Sequence, residues 1–101
     1  MTEIKIGKVN DIKEGGAKVI NVSGKTLALF NINGEFYVTD NACLHKGGPL
    51  GEGELDGSVV TCPLHGWKYD VMTGYCVFPA TNLKVNSYKV SVKGEEIFVE
   101  I

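Results

Sequence analysis

The side chains able to bind a metal are few and sit in two places. The chain of 101 residues holds two histidines and three cysteines. Both histidines and two of the cysteines fall into matched pairs, Cys43-Leu44-His45 and Cys62-Pro63-Leu64-His65, with sixteen residues between them. One Cys-x-His or Cys-x-x-His pair is weak evidence for anything. Two pairs that use every histidine, each on a stretch bearing glycine, form the donor set of a metal site with mixed nitrogen and sulfur ligation.

The order of the donors bears on which metal. Structural zinc fingers usually group two cysteines together and two histidines together. Here each segment carries one of each. A two-iron, two-sulfide centre with two thiolates on one iron and two imidazoles on the other needs that alternation, because two similar loops approaching from opposite sides can each give a sulfur to one iron and a nitrogen to the second. A zinc site remains the alternative on spacing alone.

The rest of the chain must position these segments. Its hydrophobic fraction of 44% and charged fraction of 22% are ordinary for one globular domain. Thirteen glycines punctuate short β-branched and aromatic runs, which reads as strands and tight turns. Met1 to Val9 alternates Ile4 and Ile6 with Glu3, Lys5 and Lys8 in a strand pattern. Thr26–Ile32 and Glu35–Thr39 flank Asn33-Gly34, the strongest short-range hairpin signal. A second hairpin is predicted at Lys68–Val71 and Tyr75–Phe78 through Thr73-Gly74. A third pairs Ser87–Val92 with Ile97–Ile101 through Lys93-Gly94-Glu95-Glu96. In it Tyr88, Val90 and Val92 alternate with Lys89, Ser91 and Lys93, so one face should be buried. No amphipathic helix beyond two turns is visible. Eight to ten strands imply an all-β, antiparallel sandwich or barrel-like fold, interrupted at Asn41–Asp56 and Cys62–Trp67.

Twelve acids against ten lysines, with no arginine, argue against nucleic acid as a partner. The first residues are not a basic-then-apolar leader, and no apolar run approaches a membrane span, so the expectation is a cytoplasmic protein with no membrane partner. Three cysteines, an odd number, fit poorly with a disulfide framework.

The segments Cys43-Leu44-His45-Lys46-Gly47-Gly48 and Cys62-Pro63-Leu64-His65-Gly66-Trp67 resemble box one and box two of the Rieske family. The resemblance extends over most of the chain, and the stand-alone Rieske ferredoxins are similar in length. It implies a single domain over residues 1–101: an antiparallel β-sandwich with a small cluster-binding subdomain from loops at about 41–50 and 60–69. It implies one 2Fe-2S cluster per chain, held by Cys43, His45, Cys62 and His65. The iron bearing the histidines would take the electron, with the histidine edges as its exit.

Departures from the high-potential members are informative. The cysteines that form a disulfide between the boxes there are replaced by Gly48 and Leu64 here, and a serine donor to a bridging sulfide is replaced by Trp67. Tyr69 matches a tyrosine that donates to a cysteine sulfur. Two ferric ions, two sulfides, two thiolates and two neutral imidazoles sum to zero charge. Such centres therefore run from roughly −150 to +300 mV, against about −400 mV with four cysteines. With the serine gone, the lower part of that range is expected. Gly47, Gly48 and Gly66 would admit backbone N–H groups close to the sulfurs. Leu44, Pro49 and Leu64 would shield the cluster, and Pro79-Ala80 resembles the loop that closes its third side. Lys46 could steer an acidic partner. Glu52, Glu54 and Asp56 read as an exposed loop face, and Cys76 as a small buried hydrophobe.

The resemblance implies a one-electron carrier rather than an enzyme. Its partners would be a flavin-dependent ferredoxin reductase and a terminal oxygenase or reductase, and it would be monomeric when free. Two other readings stand beside it: the Rieske small subunit of a nitrite reductase, and a structural zinc module.

Overall fold

The computed structural model describes residues 3–43, 47–64, 66–79 and 83–101. The described residues form ten strands: β1 (Glu3–Lys8), β2 (Ala17–Val22), β3 (Lys25–Ile32), β4 (Glu35–Asp40), β5 (Glu54–Asp56), β6 (Val59–Thr61), β7 (Lys68–Asp70), β8 (Cys76–Phe78), β9 (Ser87–Lys93) and β10 (Glu96–Glu100). Two single 3-10 turns, Val9–Asp11 and Leu50–Glu52, complete the regular structure. All pairing is antiparallel. A six-stranded sheet has the order β1-β10-β9-β4-β3-β2, and a four-stranded sheet the order β5-β6-β7-β8. Among the described residues no helix is long and apolar enough to cross a membrane.

β3 shows why two sheets exist. Leu27 to Asn31 are all buried, so the strand has no wet face there. The period of two splits its side chains between two cores. Leu27 and Leu29 join Val22, Val38, Ile97 and Val99 inside the six-stranded sheet. Ala28 and Phe30 point the other way and pack with Leu50, Val60, Tyr69 and Val71 against the four-stranded sheet. The second core also contains Cys43, Cys62 and Cys76, so the two loops bearing the candidate ligands are rooted in it.

Turn chemistry sets the register. Asn33 and Gly34 take φ of 52° and 90°, the left-handed pair a two-residue hairpin needs, and β3 pairs β4 from Ile32–Glu35 onward as the Asn-Gly signal predicts. Ser23-Gly24 closes β2 onto β3 in the same way, with φ of 50° and 80°. The Lys68–Phe78 hairpin is shorter than expected. The Asp70 carboxylate accepts the Met72 amide at 2.9 Å and its carbonyl accepts that of Gly74 at 2.7 Å, which pulls Val71 and Tyr75 out of the strands into the turn. The last hairpin is tighter than expected. Lys93 pairs Glu96 directly because Gly94, at φ 65°, lets two residues make the turn.

Two expectations fail locally. Asn41–Asp56, read as a break in the strand pattern, contains β5, which pairs β6 across Leu55–Val60. Val92 is 47% exposed despite its place in the alternation, because β9 meets β4 only at Ser87 and Tyr88 and its far end lies beyond that neighbour.

Candidate metal centre

The two loops are built alike. In the first, the Cys43 amide donates to the Gly48 carbonyl at 2.9 Å and the Gly47 amide to the Cys43 carbonyl at 2.8 Å. In the second, the Cys62 amide donates to the Trp67 carbonyl at 2.7 Å and the Gly66 amide to the Cys62 carbonyl at 3.1 Å. Each cysteine thus receives from the residue four positions on and gives to the one five positions on. The glycine four positions on is left-handed in both, φ 70° at Gly47 and 77° at Gly66. Both cysteines begin the same closed turn, and both are buried, at 3% and 2% exposure.

The loops also meet. A Cβ placed on Gly48 would stand 2.5 Å from Cys62 Sγ and 3.0 Å from Leu64 Cγ. Only a glycine leaves room for the second loop's sulfur against the first loop's backbone. From the sheet beneath, the Tyr69 hydroxyl lies 3.3 Å from Cys43 Sγ, within reach of a hydrogen bond to sulfur. Tyr69 is wholly buried in β7, whose neighbours Val60 and Cys76 hold its backbone.

Loop one is pinned at its base by Asn41, a buried residue the sequence reading missed. Its side-chain oxygen accepts the Gly51 amide at 2.8 Å and its carbonyl accepts the Leu50 amide at 2.8 Å. Gly51 lies so close to β2 that a Cβ would meet the Lys18 carbonyl at 2.9 Å.

The other candidate residues divide as follows. Trp67 is half-buried against the core and closes loop two through its carbonyl. Pro79 is exposed, follows a cis peptide bond after Phe78, and its carbonyl lies 3.3 Å from Cys76 Sγ. Cys76 is therefore buried as expected, but it also ties the end of β8 to Pro79. Leu64 lies over Gly48 and is 55% exposed at the loop tip. His45, His65, Lys46, Leu44 and Ala80 lie outside the described residues.

The described part of this arrangement fits a 2Fe-2S cluster. Two buried sulfurs sit on matched turns, a backbone cradle is kept open beside one of them, and a hydroxyl aims at the other. Fold and site together define a small antiparallel β protein with twin cysteine loops rooted in one core.

Residues 2–96 match the family model described as the Rieske 2Fe-2S domain. The chain is 34% identical over 91 residues to the ferredoxin component of the naphthalene 1,2-dioxygenase system of Pseudomonas aeruginosa, covering 90% of this chain and 88% of that one. Among solved structures, the ferredoxin of carbazole 1,9a-dioxygenase from Nocardioides aromaticivorans IC177 superposes with a TM-score of 0.90 at 29% identity, covering 98% and 97% of the two chains. A chain in the complex of reduced oxygenase and oxidized ferredoxin in carbazole 1,9a-dioxygenase superposes with a TM-score of 0.89 at 32% identity, covering 96% of this chain and 91% of that one. The chain belongs to the Rieske 2Fe-2S domain family. It is an electron carrier with a 2Fe-2S cofactor rather than a catalytic enzyme.

Proposed function

We propose that the whole chain, residues 1–101, is one cytoplasmic Rieske ferredoxin domain, monomeric when free, that takes single electrons from a flavin-dependent ferredoxin reductase and passes them to a terminal oxygenase. The relatives support this reading, being ferredoxin components of dioxygenase systems. The observation that carries it is the closeness of Gly48 to Cys62 Sγ, which brings the two cysteine loops together at one point.

Cys43 and Cys62 would supply the thiolates, and His45 and His65 the imidazoles. When bound, the cluster supplies reversible storage of one electron. The protein's own residues do the rest. The matched turns fix the backbone at each cysteine through paired hydrogen bonds. With Cys43 bound as a thiolate, which can only accept, the Tyr69 hydroxyl would donate a hydrogen bond to it. Trp67 and Pro79 would line the sides, Leu64 would cover the tip, and Lys46 follows His45 in the sequence with a positive charge.

The test is spectroscopic. The purified protein should contain two irons and two acid-labile sulfides per chain and, when reduced, show the paramagnetic resonance of a histidine-ligated cluster. A colourless protein holding stoichiometric zinc would overturn the reading. Co-purification with a sirohaem subunit would assign the chain to a nitrite reductase instead.

A further inference from the structure

Two hollows flank the cysteine loops, and they carry opposite charge. The one beside loop two, about 370 Å³, is lined by Glu52 and Glu54 together with Cys62. The one beside loop one, about 710 Å³, is lined by Lys25, Lys84, Asp40, Asn86, Tyr88 and Cys43. Its single carboxylate is already occupied. The Tyr88 hydroxyl donates to Asp40 Oδ1 at 2.7 Å and the Asn86 amide to Oδ2 at 3.2 Å. The two ammonium groups are not. Lys25 Nζ stands 5.7 Å from the centre of the Tyr88 ring and Lys84 Nζ 5.3 Å from that of Tyr75, and neither lysine pairs with a carboxylate among the described residues. Both are exposed. The rings beneath them restrict their stems, so less side-chain entropy is lost when an anion arrives.

From this arrangement we propose that the Lys25–Lys84 hollow receives a carboxylate-bearing side chain of the electron-transfer partner and so fixes how that partner sits over the cluster. The inference rests on the electron-carrier reading of the site and adds to it a docking contact. Two cations with no carboxylate partner among the described residues beside the first cysteine, and two acids beside the second, make the cluster end a dipole. A partner that presents carboxylates is attracted on one side of the loops and repelled on the other, which leaves one rotational register. Electrostatic contacts of this kind set the association rate and orientation more than the affinity.

The test uses two substituted holoproteins of equal net charge. One is Lys25→Glu with Lys84→Glu. The control is Lys8→Glu with Lys13→Glu. Lys13 belongs to the loop that bonds Asn31, about 20 Å along β3 from Lys25 at ~3.3 Å per residue. Lys8 pairs Glu96 beside the β9–β10 turn. The reduced protein gives one electron to tris(oxalato)cobaltate(III), an anion that presents carboxylates and becomes cobalt(II). The same reaction is run with cationic tris(phenanthroline)cobalt(III).

The K25E/K84E rate with the anion should fall about tenfold at low ionic strength, with the difference gone at high salt. The control should fall far less, and the cationic oxidant should not slow. Redox-inert tris(oxalato)chromate(III) should broaden the Tyr75 ring resonances of the wild type and not those of K25E/K84E. Equal losses in both variants, or broadening centred elsewhere, would overturn the docking contact. Absence of any reducible cluster in the wild type would instead overturn the carrier reading beneath it.

Discussion

Gly48 and Cys62 belong to different loops, yet a Cβ on the first would stand 2.5 Å from the sulfur of the second. Real Cβ atoms do not approach sulfur so closely, and the neighbouring Leu64 Cγ, 3.0 Å away, blocks retreat on that side. Gly48→Ala should therefore push the loops apart and prevent stable cluster assembly. Gly47→Ala is the matched control, because nothing stands within 4 Å of its Cβ and only its φ of 70° is strained. That strain costs roughly 1–2 kcal/mol and should lower the melting temperature while leaving iron and sulfide at two each. Metal analysis of the two variants checks this. Equal iron content in both would show that the approach of the loops is not needed.

The Tyr69 hydroxyl, 3.3 Å from Cys43 Sγ, stabilises extra negative charge on sulfur. Tyr69→Phe should lower the reduction potential. A hydrogen bond that differs by about 1 kcal/mol between the two redox states corresponds to roughly 40 mV. Voltammetry of the two proteins reads it. An unchanged potential would mean that Tyr69 only fills the core.

These two predictions mark what was legible in the sequence. Cys43 and Cys62 stand out by type and spacing alone, Tyr69 only through the resemblance to the family, and Asn33-Gly34 and the Ser87–Ile101 hairpin follow from turn chemistry and alternation. Other features depend on distant partners. Asn41 matters because Gly51 and Leu50 fold back onto it, and nothing in its neighbours along the chain announces that. β5 is three residues long and forms because β6 presents an edge to it. The unbroken burial of Leu27 to Asn31 reads in sequence as one strand but not as two cores. The Lys25–Lys84 hollow is assembled from residues far apart and has no local signature.

His65→Cys tests the ligand assignment itself. It would place a third thiolate on the cluster and add one negative charge to the oxidised centre. The potential should fall toward the four-cysteine range, by on the order of a hundred millivolts or more, given the gap between about −150 and about −400 mV. Potentiometry with resonance detection checks this in any protein that still assembles a cluster. A potential that stays put or rises would remove His65 from the ligand set.

Tyr88 gives a pH dependence that needs no cluster ligand to titrate. Burial and then the hydrogen bond to Asp40 push its phenol from 10.0 up to about 12. The folded state thus favours the neutral form, so this contribution is fully present below pH 10 and is lost as the pH rises toward 12. After discounting for solvent screening it is worth on the order of 1 kcal/mol. Tyr88→Phe should be less stable than the wild type at pH 9, through loss of the bond to Asp40, and the gap should narrow by pH 11.5. Urea unfolding of both proteins at the two pH values reads the difference, to which the lysines and other tyrosines contribute equally. A gap that is constant or widens would show that Asp40 does not hold the Tyr88 proton.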